Sequence, residues 1–89
     1  MKISVDISMY PLEDDYCQPI IDFINALETH PKVSIQRNSM STHIYGEFTD
    51  VMSVMNSEVE QVLETLPNTV FVIKLIGTDR EKVNYRACE

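Results

Sequence analysis

The chain has 89 residues, with 14 acidic and 7 basic side chains and a formal net charge of −7. That length fits one domain and leaves little room for a second. Seven bases without a cluster exclude the footprint that a nucleic acid or an anionic membrane surface needs, and favour a neutral or cationic ligand.

From Lys2 to Tyr10 the pattern has period two. Ile3, Val5, Ile7 and Met9 point one way and Ser4, Asp6, Ser8 and Tyr10 the other, which predicts a half-buried strand. The alternation is not the continuous apolar core of a signal peptide, and no later run is long enough to span a bilayer. The expected compartment is the cytoplasm. Pro11 to Asp15 reads as a loop, followed by a helix. Asp15 with Gln18 resembles a capping box; alternatively Gln18 caps, with Pro19 at the first helical position. Ile20, Phe23, Ile24 and Leu27 form one helix face, and Pro31 stops it.

Val33 and Ile35 share one face of a short second strand, Lys32 to Arg37. Asn38 to Ser41 is turn-like, and Thr42 to Phe48 reads as a third strand. Thr49 or Asp50 is the expected cap of a second helix. Its apolar stripe is Val51, Met55, Val59, Val62 and Leu66, with Glu58, Glu60 and Glu64 expected on the outer face. The β-branched run Thr69 to Gly77 is a fourth strand. It is apolar on both sides, and such a strand is normally buried on both. Residues 1–78 are expected to form the domain and 79–89 a polar tail.

The order β-α-β-β-α-β predicts an α+β, ferredoxin-like sandwich. Right-handed crossovers put both helices on one face of a four-stranded antiparallel sheet. In that topology the loop after the first strand, the turn at Asn38 to Ser41 and the Pro67-Asn68 connection converge at one end. Ser8 and Tyr10 should lie near Thr42 there. Hydroxyls, an amide and aromatic rings then gather in one place. Two readings stand at this point: a polar hairpin that satisfies its own backbone, or a ligand pocket. Asp6 is either a ligand carboxylate or a solvated or ion-paired strand residue. Glu47 falls at the far end of its strand, with a structural role near the second helix.

No catalytic arrangement is expected. With only Gly46 and Gly77 there is no phosphate-cradling glycine loop, and no nucleophile elbow, CxxC pair or HExxH helix occurs. Cys17 and Cys88 form no paired motif and are expected as ordinary thiols. No second His or Cys stands at ligand spacing from His43, so no metal or cofactor is expected.

The segments "ISMYPLEDDY", "NSMSTHIYGEFTDVM" and "VFVIKLIGTDRE" resemble the small thiamine-binding, YkoF-like family. Met40, Thr42, Gly46 and Glu47 in that spacing carry most of the likeness. The resemblance implies a single-domain member that binds thiamine or its hydroxymethylpyrimidine portion without catalysis. Ser8, Asn38 and Thr42 would supply hydrogen bonds; Met40, Tyr10 and Tyr45 would supply a flat slot; Asp6 could receive the amino group or attract the thiazolium. It also implies pairing of identical subunits. A homodimer or tetramer through the helix-free sheet face is expected. The alternatives are an ACT-like module sensing amino acids and a structural oligomer without ligand.

Overall fold

The structure, a computed structural model, describes residues 1–82. Cys88 and the rest of the predicted tail beyond Lys82 lie outside the described residues. Six elements follow one another: β1 (Lys2–Tyr10), α1 (Cys17–Leu27), β2 (Ser34–Arg37), β3 (Thr42–Glu47), α2 (Phe48–Thr65) and β4 (Val70–Ile76). The four strands form one antiparallel sheet in the order β2-β3-β1-β4.

Period two in β1 decides which way the sheet faces. Ile3, Val5, Ile7 and Met9 are buried together with Ile44 of β3, Phe23 and Leu27 of α1, and Val51, Val54 and Met55 of α2. Both helices therefore cover the same sheet face, and this shared cluster is the core. Phe23 packs on Phe71 of β4 with ring centroids 5.3 Å apart, tilted by 54°. Gly46 sits where β3 meets Ile3, with φ at +157°; a Cβ there would stand 3.3 Å from the Lys32 carbonyl oxygen. The close approach of the Lys32 strand entry needs a residue without a side chain.

The helix ends depart from expectation. Tyr16 occupies the N-cap of α1 and Glu47 that of α2, and neither side chain bonds to the helix. Gln18 donates instead to Asp22 at 2.8 Å, one turn on. Thr49 and Asp50 lie inside the first turn of α2, since Phe48 begins that helix rather than ending β3. Glu47 meets the Met1 ammonium at 3.2 Å, close to α2 as anticipated. Glu58 is the clearest correction on the helices. It is only 7% exposed, and its carboxylate stands 3.4 Å from His30 Nε2.

β4 is an edge strand, and its sequence is unusual for one. Val70, Val72, Ile73, Leu75 and Ile76 are each between 45% and 47% exposed, on both faces of the sheet. Exposed edges are normally charged or covered. The helix-free face is partly covered at its lower end. There Thr78 to Glu81 cross the sheet: the Ser4 hydroxyl donates to the Thr78 carbonyl (2.8 Å) and accepts from the Arg80 N–H (2.7 Å). The Ser34 hydroxyl donates to Glu81 Oε2 at 2.5 Å.

Candidate functional site

The upper end of the sheet carries a cleft of about 420 Å³. Its walls come from three segments: the top of β1 with the loop to Tyr16, the first turns of α1, and the hairpin between β2 and β3. The volume lies in the range of small-molecule sites. The loops meet here because β1 and β3 are central neighbours, which brings Ile7 opposite Thr42 in the register.

The hairpin is rigid for a local reason. Asn38 accepts, on its side-chain oxygen, the N–H groups of Met40 (2.8 Å) and Ser41 (2.9 Å), and its own N–H donates to the Ser41 carbonyl at 3.1 Å. This is the Asx-type turn that Asn favours. It leaves the Asn38 amide nitrogen as the group that can face a ligand. Ser8 approaches from β1, with its hydroxyl 3.5 Å from the Met40 carbonyl, at the limit of a hydrogen bond. Met40 itself is 85% exposed at the hairpin tip.

Thr42 differs from these neighbours. It lies on the helix-facing side of β3, is only 4% exposed, and lines the cleft. Among the described residues its hydroxyl has no hydrogen-bond partner. The hydroxyl itself stays open to the cleft; among the described residues the buried side-chain polar atom without a partner is Thr69 Oγ1. Tyr10, Tyr16, Leu12 and Phe23 supply the apolar walls.

Five of the six residues expected at a site therefore line one cleft: Ser8, Tyr10, Asn38, Met40 and Thr42. Asp6 does not. It lies on the helix-free face, where its carboxylate is 3.7 Å from His43 Nε2 and it pairs in register with Lys74. Tyr45 is also on that face, near the lower end, with its hydroxyl 3.0 Å from His43 Nδ1. Burial, reinforced by the carboxylates of Glu81, Asp6 and Asp79, raises the Tyr45 phenol above its ordinary value. Sequence reasoning missed Tyr16, Ile20 and Phe23 as cleft walls. Their signal was the helical spacing of Tyr16, Ile20 and Phe23, which puts all three on one side of the first turns.

Among the described residues, no group of three or more His, Cys, Asp or Glu side chains is placed to hold a metal ion, and no helix is long and apolar enough to cross a membrane.

The fold recurs in solved structures. A protein of Thermotoga maritima, described as a candidate for thiamine biosynthesis or salvage, shares 19% identity at a TM-score of 0.80, covering 93% of this chain and 96% of its own. A protein of Streptococcus pneumoniae is 19% identical at a TM-score of 0.77, with all of both chains covered. A hypothetical protein of Methanocaldococcus jannascii is 15% identical at a TM-score of 0.75, over 98% of this chain and 91% of the other. At these identities the likeness is one of fold. No curated protein matches the sequence. A family model does, over residues 2–77, and on that match the chain belongs to the YKOF-related family.

Proposed function

We propose that the upper cleft binds thiamine, its hydroxymethylpyrimidine portion or a related small heterocycle, and does not transform it. The observation that carries this reading is the cleft with Thr42 in its wall, a largely buried residue whose hydroxyl opens on the cleft and has no partner among the described residues. A ligand with a ring nitrogen or amino group would satisfy it. An aminopyrimidine needs acceptors, donors and a flat apolar slot together. Ser8, Thr42 and the Asn38 amide nitrogen offer the first two, and Tyr10, Tyr16 and Met40 line the slot. Family membership and the description of the Thermotoga maritima relative point the same way. The lining contains no Asp, Glu, His, Cys, Lys or Arg. The serine, threonine and tyrosine hydroxyls that line it therefore have no base or acid among the described lining residues to activate them, which supports binding over catalysis.

The protein acts as a homo-oligomer on this reading. Exposed β4, apolar on both faces, and the uncovered upper part of the helix-free face support assembly with identical chains. The same exposure favours a second reading, a structural oligomer with no ligand.

Titration calorimetry and thermal denaturation with thiamine, hydroxymethylpyrimidine and a panel of amino acids separate the readings. The expected result is heat and a raised melting temperature with the first two only. Response to an amino acid alone would favour an ACT-like role. Silence from every compound at millimolar concentration would leave the structural oligomer. Light scattering tests assembly, and Val72→Lys, on the helix-free side of β4, should reduce the particle to a monomer.

A further inference from the structure

A groove of about 440 Å³ runs between the two helices, apart from the upper cleft. Met9, Phe23, Val62 and Leu66 give it apolar walls, and Glu58 of α2 stands among them. Glu58 is only 7% exposed, and a carboxylate so buried normally has a partner of opposite charge. Among the described residues its partner is His30, and the contact is weak. The Nε2–Oε2 distance is 3.4 Å, and an imidazole is charged only when protonated. The other oxygen, Oε1, accepts no hydrogen bond among the described residues. Nor is it sealed off like Thr69 Oγ1: what exposure Glu58 keeps, it keeps as a wall of the groove. Asp22 of α1 adds a second carboxylate at the exposed rim. No Lys, Arg or His is among the described residues that line the groove.

We propose that this groove is a binding site of its own, for a protonated amine carried on a small apolar body. Glu58 is the anchor. An ammonium group brings the positive charge and the N–H donors that Oε1 lacks. Around a carboxylate this buried, such a contact is stronger than one between neutral groups. The apolar walls take the body of the ligand out of water. Asp22 at the rim attracts a cation and repels an anion. A carboxylate ligand would meet two like charges and no base, and a neutral alcohol would leave the Glu58 charge uncompensated. Met9 and Phe23 border both the groove and the cleft, but the proposal does not depend on what the cleft binds.

The test is a nuclear magnetic resonance titration of the full chain with benzylamine, and with benzyl alcohol and benzoate as its neutral and anionic counterparts. Benzylamine should shift the backbone amides of Asp22, Glu58 and Gln61 and leave those of Asn38 to Ser41 in place. It should bind about tenfold more tightly than benzyl alcohol, with benzoate weaker than both. Glu58→Gln keeps the shape and removes the charge. It should bring benzylamine down to the affinity of the alcohol, and an unchanged affinity for the alcohol shows that the groove is intact. Where that variant fails to fold, Asp22→Asn at the exposed rim gives the same readout on a smaller scale, a loss of about two- to threefold. Equal affinity for the amine and the alcohol in the wild type would overturn the proposal. So would shifts confined to the hairpin of the cleft, or an undiminished preference for the amine in the variant measured. No shift with benzylamine at millimolar concentration would also overturn it, and would leave Glu58 and His30 as a tie between the helices. None of these failures touches the reading of the cleft.

Discussion

Thr42→Val separates a binding hydroxyl from a structural one, because the two effects have opposite signs. Valine keeps the branched shape that a central strand favours and removes only the polarity. Thr42 is 4% exposed and its hydroxyl is unpartnered among the described residues. A fully buried polar group without a partner costs about 1–3 kcal/mol. Here the hydroxyl borders a cleft that water can enter, so the recoverable part is at the low end, about 0.5–1 kcal/mol. For a domain of this size that corresponds to a rise of roughly 2–8 °C in melting temperature without ligand. With ligand present the same change removes a hydrogen bond of about 0.5–1.5 kcal/mol, a loss of roughly two- to twelvefold in affinity. The variant should thus melt later and bind more weakly. Thermal denaturation of the free protein and calorimetry with hydroxymethylpyrimidine measure the two arms. A fall in melting temperature would show that the hydroxyl has a structural partner, and unchanged affinity would place it outside the site.

Asp6→Asn should leave ligand affinity within about twofold, because the carboxylate faces His43 on the helix-free face; calorimetry with thiamine checks it. His30→Ala should cost about 1–3 kcal/mol in urea unfolding, since it leaves the Glu58 carboxylate buried between the helices without its neighbour. Tyr45 should titrate above its ordinary value of 10.0 in an ultraviolet phenolate titration. A raised pKa in the folded state means that folding favours the neutral phenol. That contribution to stability is complete below pH 10.0 and is lost as pH rises through the folded value, a slope that Tyr45→Phe should remove.

Legibility from sequence followed the strength of the physical pattern. The alternation in Lys2–Tyr10 and the stripe of α1 gave the sheet orientation and the helix-covered face, because each position contributes to one consistent periodicity. Glu58 was misassigned because its charge outweighed its spacing. It follows Met55 by three positions and Val54 by four, which places it on the inner stripe of α2. The helix starts were not legible, since Tyr16 and Glu47 cap with no side-chain bond and leave no residue signature. For the cleft, the convergence of Ser8, Asn38 and Thr42 followed from topology alone. Asp6 shares a strand face with Ser8 but stands two residues farther from the hairpin, opposite His43, and the sequence offers no direct record of that pairing.

The strand order β2-β3-β1-β4 also sets the sequence of events by which the chain can fold. Only the β2–β3 hairpin joins near neighbours. β1 must close a loop of more than thirty residues to reach β3, and Ser4 must wait for Ile76 to find its partner on the other side. Distant pairings of this kind slow folding, because chain entropy is lost before the contacts form. During synthesis, moreover, the first strand made is the one that needs the last. Until β4 has left the ribosome, β1 has an open edge in the middle of the future sheet, and the apolar side chains that β4 would flank have no neighbour there. The interval between synthesis of Tyr10 and of Ile76 is thus the period of greatest exposure to aggregation, and a chain cut short before β4 would stay in that state.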